Sequence, residues 1–384
     1  MSEVRLGVVG TGFISNHFVL NLENHSGFTV SRTLTRRPVE NVGGFPDGVV
    51  TNSIDDLVSN SDVIVECSGD PVWATDVIAV SVDAERPVVT MNTEFHITAG
   101  SAFVGKGLVT EAEGDQPGCL AALHEEAEAM GFSPIVYGNM KGFLNLDPTP
   151  DDMAFWADKQ GISVPMVTSF TDGTKVQAEQ ILVANHFGAG LVVEGMMAAA
   201  VENLEEGVSL LAAASEEAGR PISDYIVGGE LPHGVFIVAT HDERQAPALA
   251  YYKLGEGPNY TIIRNNIFVH LEILKTVRRV LESGMVLIDN SKNPEMSLSA
   301  VAKRDLTPGD QIEHGIGSFD LRGQAVRIAA RPDHVPIGLI QAATVVQPVA
   351  RGEIVRFDQI ELPDSLALKL WGEISASTVP DPED

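Results

Sequence analysis

The chain predicts an α/β protein in three parts: a Rossmann-type domain with a parallel sheet, an α+β region that carries the chemistry, and a small all-β module at the C-terminus. Three observations predict it. A strand runs into a glycine turn within the first fifteen residues. Strand and helix patterns then alternate through about Val136. Beyond residue 291 the pattern breaks into short β-like runs bounded by turns.

The opening strand ends in Gly10-x-Gly12-x-x-Ser15, a dinucleotide-type turn whose third glycine is replaced by serine. In such a turn the first glycine permits the bend, and the second lets backbone approach a diphosphate. The helix that follows offers free N–H groups to the anion. Gly10, Thr11, Gly12, Phe13 and Ile14 are therefore candidate coenzyme contacts. A second strand, Phe28 to Leu34, follows after a helix-sized gap and ends in Thr35-Arg36-Arg37. An acid at that position would hold a free ribose 2′-hydroxyl, whereas two guanidinium groups favour a 2′-phosphate. NADP is thus expected over NAD, with Arg36 and Arg37 as its readers; the competing reading is a merely solvated arginine pair. A third strand from Val63 leads into Cys67, Ser68 and Gly69, and a further one, Arg86 to Glu94, carries Asn92, Thr93 and Glu94 at its carboxyl end. Ligands of open α/β sheets bind at such carboxyl ends. An α/β fold taking a different nucleotide remains the alternative.

At 384 residues there is room for several cores, and two cysteines, Cys67 and Cys119, build no disulfide framework, so a reducing cytoplasm is expected. The net charge of −28 disfavours nucleic acid and anionic membrane as partners. The apolar stretch from Ile181 to Val201 is broken by Asn185, His186 and Glu194 and reads as a buried helical region, not a membrane span. The expected partners are a small-molecule substrate and further copies of the chain, as a homodimer or higher homo-oligomer.

The expected domains are 1–140, 141–290 and 291–384. The strand Ser133 to Tyr137 closes the first, and Tyr260 to Leu281 reads as extended structure turning into a helix, with a possible return to the first domain. Its apolar face comprises Val269, Leu271, Leu274, Val277 and Leu281. In the last part Leu306-x-x-Gly309-Asp310 and Val349-x-x-Gly352-Glu353 echo one another, each followed by an isoleucine. The acidic tail after Trp371 is expected to fray.

The middle region concentrates its polar residues in Ser169-Phe170-Thr171-Asp172-Gly173-Thr174-Lys175. Asp172 is well typed to cap a helix on which Lys175, Glu179 and His186 share an arc. That stripe reads as an acid/base array over a carbonyl, against the blander alternative of a solvated face. Lys141, just past a strand end, is a further candidate. Tyr251, Tyr252, Lys253 and Tyr260 read as packing. No spacing resembles a zinc site, while Glu94, Asp172, Glu179 and Glu194 are acids that a magnesium or manganese ion could use.

Gly114 to Gly118, Ser169 to Lys175, Val183 to Asn185, His233 to Phe236, Tyr251 to Pro258 and His270 to Glu272 together resemble the deoxyxylulose-5-phosphate reductoisomerase-like oxidoreductases, distant relatives of homoserine dehydrogenase that carry a C-terminal SAF domain. The resemblance implies a β-clip (SAF) module over Leu298 to Leu362 and reduction of a small hydroxylated, phosphorylated metabolite with a divalent ion. Compared with homoserine dehydrogenase, Glu94 stands where that family has lysine, and Lys175 and Glu179 exchange the family's charges. A homoserine-dehydrogenase-type enzyme and a nucleotide-binding sensor or assembly protein are the alternatives. The residues expected to carry catalysis are Lys175, Glu179, Asp172, Lys141 and Glu94.

Overall fold

The computed structural model describes residues 3–378. It begins with β1 (Val4–Val9), α1 (Phe13–Leu22), β2 (Phe28–Leu34), β3 (Val50–Thr51), α2 (Ile54–Ser59), β4 (Val63–Glu66), α3 (Pro71–Asp83), β5 (Val88–Thr90), α4 (Thr93–Thr98) and β6 (Val109–Glu111). It continues with α5 (Gln116–Ala129), β7 (Ser133–Lys141), α6 (Pro150–Gln160), α7 (Val164–Thr171), α8 (Thr174–Phe187), β8 (Ala199–Ala200), α9 (Leu204–Ala218), β9 (Ile222–Val227), β10 (Gly234–Thr240), α10 (Ala246–Tyr251) and β11 (Asn259–Arg264). The last elements are α11 (Ile273–Ser283), β12 (Met296–Ala302), β13 (Gln311–His314), β14 (Leu321–Arg327), β15 (Gln341–Val345), β16 (Ile360–Glu361) and α12 (Leu366–Thr378). Two compact units result. The first joins residues up to Gly118 with Phe268–Lys292 and Asp364–Ala376, and the body of the second is Cys119–Ile267 with Asn293–Pro363.

The first unit is a Rossmann-type sheet, all parallel, in the order β3-β2-β1-β4-β5-β6. Crossover helices explain why β4 and β5 are buried without alternation: both faces are covered. Leu6, Val8, Val63, Val65 and Val89 pack against Phe18, Val19 and Leu22 of α1 and against Ile273, Leu274, Val277 and Val280 of α11. The chain therefore does return to the first unit, at Phe268. The helical face differs from the expected one, since Leu271 and Leu281 are exposed while Ile273 and Val280 are buried.

In the second unit β7 is the central strand of a mixed sheet, β11-β10-β7-β9-β8. β10 and β11 run antiparallel, whereas β7, β9 and β8 run parallel. This relocates Ser133 to Tyr137, expected to close the nucleotide domain, into the second unit: an apolar strand advertises burial but not the sheet it joins. The sheet's core holds Val136, Met140, Ile222, Ile226, Phe236 and Val238 with Leu211 of α9. Helix α8 is buried along most of its length and ends at Gly188, in the left-handed conformation. The apolar run to Val201 is consequently only half helical, because its later part forms a loop and the short strand β8.

The C-terminal part of this unit comprises the antiparallel pair β12–β14 and the antiparallel sheet β13-β15-β16. The two echoing segments face each other: Leu306 N–H bonds to Val349 O at 2.8 Å and Val349 N–H to Leu306 O at 3.1 Å. Gly309 (φ +97°) and Gly352 (φ +86°) both take a conformation that side chains rarely adopt, which is why glycine recurs there. The tail is helical through Thr378 with Trp371 buried, and the residues after 378 lie outside those described.

Candidate coenzyme and catalytic sites

In the first unit the carboxyl ends of β1, β2, β4 and β5 build one edge. Gly10 has φ +99°, and a Cβ on it would lie 2.9 Å from Cys67 O, so only glycine lets the first turn pass the β4–α3 turn. Gly12 is open: a Cβ there would meet nothing within 4 Å. It precedes α1 with no side-chain cap, leaving the first N–H groups of that helix for an outside acceptor. Phe13 and Ile14 supply two of those groups. Ser15 is fully buried, a small residue filling the third glycine position. Asn16 Nδ2 donates to Gly12 O at 2.8 Å and Thr11 O at 3.2 Å, while Thr11 and Thr35 hydroxyls meet at 3.3 Å. These residues fit a dinucleotide diphosphate.

Arg36 pairs with Asp70 at 2.7 Å and lies 4.6 Å above the Trp73 ring. Asp70 also caps α3, accepting the Val72 and Trp73 N–H groups at 3.1 Å. Both arginines are exposed, and Arg36 is the one held by an ion pair and a ring contact. Glu66, the last residue of β4, is fully buried; it accepts Ser68 N–H at 2.6 Å and the Thr90 hydroxyl at 2.8 Å, and burial pushes its carboxyl up. Gly69 completes that turn with φ +68°. Asn92 caps α4 by accepting Phe95 N–H at 3.1 Å. The Thr93 hydroxyl reaches the buried acids Glu111 (3.2 Å) and Asp115 (3.0 Å), and Glu94 lies buried in the first turn of α4. Thr93 thereby contributes to packing inside the unit.

The second unit brings together residues that the sequence left apart. Asn139 and Lys141 alternate onto one face at the end of β7. Glu179, 1 % exposed on α8, accepts from both with the same oxygen: Asn139 Nδ2 at 2.9 Å and Lys141 Nζ at 3.3 Å. The solvated-face alternative is therefore ruled out for Glu179. Lys141 keeps 20 % of its side chain open. A lysine ammonium held by a buried carboxylate and still reachable from outside can donate a proton and have its charge restored. Lys175 sits half-buried one turn before Glu179, and His186 packs edge-on against Phe187. Gln180 locks α8 to the sheet, its Nε2 donating to Tyr137 O and Asp224 O at 2.8 Å. Asp224 in turn accepts the N–H groups of Met197, Ala198 and Tyr225, and burial pushes its carboxyl up to about 6.

Asp172 is a structural anchor. Gly173, at φ +81°, occupies the cap position, and Asp172 Oδ1 accepts Thr174 N–H at 3.0 Å. Its other oxygen takes the Lys303 ammonium at 2.7 Å, with both side chains at most 2 % exposed; Lys303 also donates to Ser318 O at 2.6 Å. Lys303→Met is expected to destabilise the protein by about 3–5 kcal/mol in urea melts, because it strands a buried carboxylate. Adding Asp172→Asn should recover much of that loss.

Tyr251 and Tyr252 do not pack as expected: they are 78 % and 67 % exposed, whereas Tyr260 is buried. The chain leaves β10 toward Lys253 at Thr240, opposite Ser133, while Lys141 lies at the other end of β7. Among the described residues no group of three His, Cys, Asp or Glu could hold a metal. Of the four acids offered for one, Glu179 is engaged by Lys141, Asp172 by Lys303 and Glu194 by Arg331, while Glu94 lies buried in α4, so among the described residues the four do not form a ligand set for a divalent ion.

Residues 114–273 match the family model described as oxidoreductase DRL, catalytic domain. The match spans 160 of the 384 residues and is to an oxidoreductase catalytic domain. The chain is similar to the solved UDP-N-acetylglucosamine 3-dehydrogenase from Acidithiobacillus ferrooxidans, at 12% identity and TM-score 0.42 over 76% of this chain and 93% of that one. It is also similar to S. aureus homoserine dehydrogenase, at 11% identity and TM-score 0.36 over 47% of this chain and 50% of that one. No curated protein matches the chain. Among the described residues no helix is long and apolar enough to cross a membrane.

Sequence reasoning missed Asn139, whose i,i+2 spacing from Lys141 on a strand was the available signal. It also missed Lys303, whose partner lies 131 residues away with no local sign of it.

Proposed function

We propose that the oxidoreductase uses NADPH to reduce an aldehyde or ketone on a small hydroxylated metabolite, with a phosphorylated sugar of the deoxyxylulose type as the leading substrate. The observation that carries this reading is the Lys141–Glu179–Asn139 group, supported by the catalytic-domain match over 114–273. Bound on the Gly10–Gly12 turn, the coenzyme would supply the hydride. Lys141 donates the proton to the carbonyl oxygen, Glu179 holds the ammonium and stabilises it, and Asn139 fixes the carboxylate's orientation. Arg37, free of the pairing that occupies Arg36, reads the 2′-phosphate.

Purified protein assayed with NADPH or NADH against phosphorylated sugars, and with NADP+ or NAD+ against amino-hydroxy acids, tests this. Expected is NADPH oxidation with a phosphorylated sugar and a clear preference over NADH. Turnover confined to an amino-hydroxy acid would establish the homoserine-dehydrogenase type, and coenzyme binding without turnover a sensor.

A further inference from the structure

The segment His270-Leu271-Glu272 stands out in the sequence, yet the proposed function leaves it without a task. In the first unit it reaches the coenzyme turn. Val269 has φ +48°, a region that a β-branched residue rarely adopts and keeps only where its surroundings impose it. They do so here. Gly114, itself at φ +115°, approaches so closely that a Cβ on it would fall 2.2 Å from Val269 O. Buried Glu272 accepts Phe268 N–H and the Lys275 ammonium, each at 3.0 Å, and Lys275 also bonds Glu113 at 2.5 Å.

This bracing delivers the His270 ring to 5.3 Å from His17 and 6.4 Å from Phe13, the first residue of α1 after Gly12. The His17 ring lies 4.2 Å from that of Phe13, and its Nδ1 is 2.8 Å from Phe13 O. His270 Nδ1 is buried with no hydrogen-bond partner among the described residues. The titratable group that faces the ring is His17 from α1, while Glu272, Lys275 of α11 and Glu113 beside Gly114 engage one another, Lys275 holding both carboxylates. Burial and the neighbouring His17 hold the His270 imidazole below its ordinary range, so it is neutral without an anion nearby.

We propose that His270, backed by His17, is a diphosphate-binding residue of the coenzyme site: its imidazole takes up a proton on coenzyme binding and donates a hydrogen bond to the anion at the start of α1. This rests on the coenzyme reading above. The complex then carries more protons than the free protein, so affinity falls as pH rises.

NADPH titrations followed by fluorescence, at about pH 6 and about pH 8, on wild type, His270→Gln and His270→Arg test it, with melting curves run beside them. His270→Gln should bind about tenfold more weakly than wild type at the lower pH and equally at the higher, because a charge-assisted bond has been lost. The coenzyme's own phosphate ionisation is common to all three proteins and cancels in these ratios. His270→Arg, charged throughout, should bind more tightly than wild type at the higher pH. A normally melting His270→Gln that matches wild type at both pH values overturns the inference while the coenzyme reading stands. Wild type that binds neither NADPH nor NADH overturns both.

Discussion

Lys141→Met is expected to lower kcat by about 10²- to 10⁴-fold, the range in which a positioned proton donor contributes, while leaving the coenzyme dissociation constant unchanged. Glu179→Gln should fall into the same range. The glutamine preserves shape and an acceptor for Asn139 Nδ2, but it no longer balances the ammonium that wild type holds at 3.3 Å. Because the two groups act as a unit, the double variant should lose little more than either single one. Steady-state kinetics with the best substrate from the panel, read beside NADPH titration, checks this. Additive losses would mean that the two residues act separately, and unchanged kcat in both would remove them from the chemistry.

Gly12→Ala is expected to weaken NADPH binding about a hundredfold, close to 3 kcal/mol, with no change in melting temperature. The separation of binding from stability follows from geometry. Gly12 has φ −89° and ψ −166°, allowed for alanine, and an added Cβ meets nothing within 4 Å in the protein. The methyl group would occupy only the space through which a diphosphate must approach the backbone. Gly10→Ala provides the contrast: with φ +99° and Cys67 O 2.9 Å from the new carbon, it should lower the melting temperature as well. Calorimetric titration with NADPH and thermal melting of both variants distinguish the two roles.

What could be read from the chain was whatever is specified locally. The glycine turn, β2, the carboxyl ends of β4 and β5, and the paired glycines Gly309 and Gly352 each depend on a few adjacent residues, and each stands where the pattern placed it. The Lys141–Glu179–Asn139 group was half legible. Lys141 and Glu179 are recognisable as unusual types in apolar surroundings, but the sequence groups Glu179 with Lys175, because helical spacing is visible in a sequence and a strand-to-helix approach is not. Membership of sheets was least legible: β7 belongs with β9 and β10 through tertiary pairing alone. Asp172 shows the same limit, since a residue typed as a helix cap becomes the anchor of a lysine that arrives from the C-terminal module.

A crystal structure of the oxidoreductase grown with saturating NADPH tests the central claim most directly. The account predicts the diphosphate over Gly12, within hydrogen-bond distance of the Phe13 and Ile14 N–H groups, with the 2′-phosphate beside Arg37. Coenzyme bound away from that turn, or none bound at saturation, would contradict it.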